Sequence, residues 1–245
     1  MPAVAEHPDT TGASRAASSP SVAQRPVEAL RQVKPKLRGW LHAGMTPVIF
    51  FAGLVLCVFA PTLTGRIGSA IYLVAALLLF GTSATYHRGT WNEKVYAAFR
   101  RWDHANIYVF IAGSYTPLAL LLLEGRSRVI LLSLIWACAI AGVLFRTLWI
   151  DAPRWLYTLL YVAMGWAAVG WLTQFWAAGG AVTVILIAVG GLLYTGGAVC
   201  YGLKRPNPSP TWFGFHEVFH AFTLGGFITH FIAVTLAVIG YQAAT

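Results

Sequence analysis

The sequence predicts an all-α membrane protein, a seven-transmembrane helical bundle with its N-terminus cytoplasmic and its C-terminus outside. Three observations predict it. Of 245 residues, 58% are hydrophobic and only 10% charged, and the mean hydropathy is +0.66, values far from those of a soluble domain. The apolar residues fall into runs of about twenty, the length that crosses a hydrocarbon core. Basic residues gather in alternate connections between these runs. Lipid offers no partner to an open sheet edge, so helices are the architecture that follows.

Residues 1–39 are rich in Ala, Ser, Pro and Arg and have no apolar periodicity. They are expected to form a disordered cytoplasmic tail, because they cannot bury enough surface to offset their conformational entropy. A cleavable signal peptide is not expected, since the first long apolar run starts only near Ala43 and is long enough to be retained as a span. Residues 40–245 make up the transmembrane domain, with spans expected at 43–63, 67–86, 104–123, 129–150, 156–175, 181–203 and 215–240. The connection from Thr64 to Arg66 is so short that the first two runs are nearly fused.

Orientation follows from Lys and Arg. The tail carries Arg15, Arg25, Arg31, Lys34, Lys36 and Arg38, and the second connection Arg88, Lys94, Arg100 and Arg101. The fourth adds Arg146 and Arg154, and the sixth Lys204 and Arg205, against Arg66, Arg126 and Arg128 on the other side. This bias makes the protein multi-pass in the cell membrane with its N-terminus inside. The net charge of +9 therefore reads as a topology determinant. No basic stripe interleaved with aromatics points to nucleic acid. Cys57, Cys138 and Cys200 lie far apart inside apolar runs and read as small buried hydrophobes. Pro47, Pro61 and Pro117, and the glycine pairs at 190–191 and 196–197, read as packing features.

The last span opens with HEVFH, which places His216 and His220 one above the other on one helix face, as two imidazoles must be to share one metal ion. With the expected topology, the second helix ends at His87 with Ser83 one turn deeper on the same face, and the third begins at Asp103. Ser83, His87, Asp103, His216 and His220 then lie near the cytoplasmic edge, within about two helical turns or about 10 Å of depth. Three histidines and a water make an open catalytic zinc site, and imidazole favours zinc over the oxygen-seeking calcium and magnesium. Spacing does not choose the third histidine, because His42 and His104 also lie near that edge; Ser83 on the face of His87 favours His87. His230, about 15 Å beyond His220, is expected outside the metal's ligands, as a structural or cavity-lining residue. HEVFH also fits a helical metalloprotease pattern with Glu217 as general base. Its bland counterpart is a carboxylate that complements the helix dipole.

SATYH (Ser83 to His87), DHANIYVFIAGSYTP (Asp103 to Pro117) and KRPNPSPTWFGFHEVFH (Lys204 to His220) together closely resemble the hemolysin III family, the bacterial branch of the progestin and adipoQ receptor family. The resemblance covers nearly the whole membrane region and leaves out the tail. It implies a seven-helix fold, and a zinc ion held by His87, His216 and His220. It further implies that Asp103 hydrogen-bonds the water on that zinc and that Ser83 touches substrate or supports the site. The same arrangement is similar to that of alkaline ceramidases. The expected function is a zinc-dependent hydrolase of a lipid amide or ester, with Asp103 as general base, Ser83 orienting substrate, and Trp102 and Trp212 helping to position an apolar tail. A Ser83–His87 nucleophile pair has no orienting acid beyond Asp103. The alternative class is a receptor, membrane-homeostasis or membrane-permeabilising protein in which zinc is a structural clamp between the second and seventh helices.

Overall fold

A computed structural model describes residues 34–149 and 151–240, so most of the predicted tail lies outside the described residues. Among these residues seven α-helices follow in order: α1 (Trp40–Phe59), α2 (Leu63–Arg88), α3 (Glu93–Leu122), α4 (Gly125–Leu148), α5 (Arg154–Gly165), α6 (Leu172–Leu203) and α7 (Phe215–Gly240). A 3₁₀ turn, Ala167–Trp171, joins α5 to α6. Among the described residues there is no β-strand, only an isolated bridge between Ser209 and Phe213. Among the described residues six helical segments are long and apolar enough to cross a membrane, one of them the 50-residue stretch Arg154–Leu203.

The nearly fused first two runs are separated cleanly. α1 ends at Phe59, and Thr62 caps α2 by accepting the Gly65 amide at 3.1 Å. The third helix departs from expectation: it starts at Glu93, about three turns before residue 104. Asn92 caps it by accepting the Val95 amide at 3.0 Å, and Glu93 complements the dipole. These first turns carry Lys94, Arg100 and Arg101 and escape an apolar count. Asp103 therefore stands three turns inside α3.

The expected helix at 156–175 is also interrupted. After α5, the Tyr115 hydroxyl on α3 donates to the Gly165 carbonyl at 2.6 Å and accepts from the Ala168 amide at 2.9 Å. That side chain satisfies the backbone groups a break exposes in an apolar setting. Within α6, Gly180 has φ 74° and ψ 174°, a conformation open to glycine and closed to most residues, and the helix is broken there. Arg154 bonds the Tyr201 carbonyl at 3.3 Å and Trp166 bonds Thr195 at 2.9 Å, so α5 lies antiparallel to the second part of α6.

Small residues set the close crossings. Gly113 on α3 meets Ala75 on α2, and a Cβ at Gly68 would lie 2.9 Å from Pro117 Cα. Phe80, Phe110, Phe227 and Tyr72 interlock between α2, α3 and α7 beneath the histidines. The cysteines are free thiols and none is buried; Cys138 is exposed, because α4 packs one face and turns the other outward.

Candidate metal centre

The last turns of α2 and the first turns of α7 carry the site. Ser83 and His87 are one turn apart on α2, and both are buried. The start of α7 is held by three contacts: Asn207 accepts the Phe215 amide at 3.1 Å, Glu217 accepts the Gly214 amide at 2.8 Å, and Glu217 pairs with Arg38. These bonds satisfy amides that a helix start leaves free and fix the direction from which His216 and His220 project.

His87, His216 and His220 each offer a ring nitrogen, and the three nitrogens lie within 4.8 Å of one another. Nε2 of His87 and Nε2 of His216 face each other at 3.1 Å. Tetrahedral zinc with nitrogens at about 2.0–2.1 Å needs them about 3.3 Å apart, so small side-chain adjustments suffice. The donor set fits: three imidazoles can take up zinc in a confined apolar setting, whereas calcium and magnesium seek several oxygens. Of the three histidines that spacing left open, His87 is the one that stands with His216 and His220 in a group that could hold a metal. His104 instead bonds the Arg100 carbonyl at 2.7 Å and approaches the Tyr201 hydroxyl at 3.4 Å.

Asp103 Oδ2 lies 3.9 Å from His87 Nε2, close to the cluster but outside hydrogen-bond distance. Ser83 and Asp103 line the same cavity. Glu217 is buried but is not among the converging donors; its oxygens go to Arg38 and the Gly214 amide. That arrangement is the helix-start role, and it leaves Asp103 as the carboxylate nearest the histidines.

Two neighbours were not legible as partners. His42 of α1 stacks on His220 with ring centroids 3.8 Å apart, and meets Phe80 edge-on. Neither of its nitrogens has a hydrogen-bond partner among the described residues. Tyr201 of α6 presents its ring edge-on to His216. The only sequence signal for His42 was its depth, and for Tyr201 there was none.

Ser83, Asp103, His42 and His220 also line one end of a cavity of about 150 Å³. Its other walls are mostly apolar and come from α3, α5, α6 and α7, including Phe110, Tyr115, Trp166 and Phe175. His230 lines it too, ten residues beyond His220, with Nε2 on the Ile187 carbonyl at 3.1 Å. Trp102 and Trp212 do not line it; both are about half exposed, so aromatic walls come from Tyr115, Trp166 and Phe175 instead.

The family described as Haemolysin-III related matches residues 30–231. A hemolysin-3 homolog of Bacillus subtilis (strain 168) is 32% identical over 164 residues, covering 67% of this chain and 74% of the relative. Hemolysin-3 of Bacillus cereus is 28% identical over 211 residues, covering 84% of this chain and 93% of the relative.

Proposed function

The chain belongs to the Haemolysin-III related family of membrane proteins, and on that premise we propose that it is a zinc-binding hydrolase of a lipid amide or ester. The observation that carries this reading is the convergence of three imidazoles, one of which, His220, lines a largely apolar cavity together with Asp103, a carboxylate that is not among the converging donors. His87, His216 and His220 would hold the metal. Bound zinc supplies Lewis-acid polarisation of the scissile carbonyl.

The protein's own groups account for the rest. Asp103 takes the proton of the attacking water at a carboxylate oxygen, a role open to it because its approach to His87 is longer than a hydrogen bond and no Lys or Arg among the described residues pairs with it. Ser83, which lines the same cavity as Asp103, orients the substrate's polar group. Apolar walls from Phe110 to Phe175 hold the tail and keep bulk water from the reacting bond.

The chain crosses the membrane seven times in this reading, with the N-terminus and the metal site at the cytoplasmic side of the plasma membrane. A straight helix of 50 residues would measure about 75 Å, more than twice a hydrocarbon core. The break at Gly180 and the antiparallel contacts of α5 with α6 support two crossings within Arg154–Leu203. The basic residues of the tail and alternate connections support the orientation.

One observation favours a second reading, a structural zinc in a receptor or membrane-permeabilising protein. The histidines join α2 to α7, which are not close neighbours along their backbones, and a metal would clamp them. The test begins with metal content in detergent-purified protein, beside the double variant His216→Ala/His220→Ala. About one zinc per chain, lost in the variant, is the expected result. Release of fatty acid from a panel of lipid amides and esters, lost with the metal, then supports the hydrolase. Full zinc without turnover of any of them favours the clamp, and absence of zinc refutes both.

A further inference from the structure

The short stretch before α1 lies across the histidine site. Its backbone bonds the turn that precedes α7: the Lys36 amide donates to the Thr211 carbonyl at 2.9 Å, and the Leu37 amide to the Trp212 carbonyl at 3.2 Å. Lys36 Nζ sits over the Trp212 ring at 4.2 Å. Pro35 is buried against Gly214. At the other end, Gly39 has φ 79° and packs so closely on α2 that a Cβ there would lie 2.7 Å from His87 Cβ. A residue with a side chain would both strain the backbone and push on a metal ligand. Between these ends, Arg38 Nε pairs with Glu217 Oε1, the residue next to His216.

The strap therefore spans the two elements that carry the three histidines, and Glu217 is the point at which it is fastened. The Glu217 side chain is 1% exposed and that of Arg38 19%, so the pair sits at the boundary where an ion pair is well shielded and its partners are held in one geometry. Glu217 has a second bond, to the Gly214 amide, which ties the same latch to the helix start that aims His216 and His220.

We propose that Glu217 is a positioning residue: with Arg38 it fastens the strap Lys34–Gly39 over the histidine site and sets how fast water-soluble species, the metal ion included, enter and leave it. The metal part of this rests on the zinc reading above, whereas the closure itself does not.

The full chain in detergent is loaded with zinc, its content is measured, and release into excess chelator is followed for wild type, Glu217→Gln, Arg38→Gln and Arg38→Lys. Glutamine at 217 keeps the size and the acceptor for the Gly214 amide, so the helix start survives. The expected result is equal loading at saturating zinc, with release about tenfold faster or more in both glutamine variants, as loss of contacts around metal ligands does elsewhere. Arg38→Lys keeps the charge and is expected to recover most of the slow release, which general loosening of the fold does not explain. Release within about twofold of wild type in both glutamine variants overturns the proposal. If wild type takes up no zinc, the zinc reading fails, and the strap is tested on the metal-free protein. Acylation of His87 and His216 by diethylpyrocarbonate, read by mass spectrometry, is then faster in the glutamine variants if the strap closes the site, and unchanged if it does not.

Discussion

Asp103→Asn tests the proposed division between proton acceptor and metal ligands at a single atom. The change replaces one carboxylate oxygen by an amide nitrogen with almost no change of volume. Asp103 Oδ2 stands 3.9 Å from His87 Nε2 and is not among the nitrogens and oxygens that converge for ligation. The three histidine donors are untouched, so zinc per chain should match wild type. Stability should hold within about 1 kcal/mol, since a neutral amide costs less to keep in a mostly apolar cavity wall than a carboxylate. Turnover should behave otherwise. A positioned general base contributes about 10²- to 10⁴-fold, or about 3–5 kcal/mol of barrier at about 1.4 kcal/mol per decade. Metal content, thermal unfolding and fatty-acid release, all on the same preparation, make the assay. Turnover within about tenfold of wild type at normal zinc content refutes Asp103 as proton acceptor. Loss of zinc instead refutes the reading that Asp103 stands outside the ligand set.

Two further predictions concern the scaffold. Gly113→Ala should destabilise by about 1–3 kcal/mol in thermal unfolding, because its Cβ would overlap Ala75 where α2 and α3 cross, whereas Gly44→Ala, with nothing within 4 Å, should be neutral or stabilising. Tyr115→Phe removes the donor to the Gly165 carbonyl and the acceptor of the Ala168 amide; it should cost about 1–3 kcal/mol and raise hydrogen exchange at Ala168, and unchanged exchange would mean that the break is held by other contacts.

How far the site was legible depends on the range of the interaction that builds it. His216 with His220, and Ser83 with His87, are pairs at i, i+4, and helical period alone puts each pair on one face. Choosing among His42, His87 and His104 needs the rotation of one helix about its axis relative to another, which lies in packing. Gly113 on Ala75 and Gly68 on Pro117 lock α2 to α3 and so contribute to that rotation. Helix ends were legible where the signal was apolar and hidden where it was polar: Asn92 starts α3 three turns before hydropathy rises. The break after Gly165 contains no proline, and the group that stabilises it, Tyr115, lies 50 residues away in sequence. Arg38 and Glu217 are further apart still, separated by 179 positions. In the sequence Arg38 is one of many topology-setting charges, and Glu217 fits either a protease base or a dipole partner. Their meeting gives the HEVFH carboxylate a specific partner, and that partner leaves the histidine cluster with Asp103 as the carboxylate nearest its ring nitrogens.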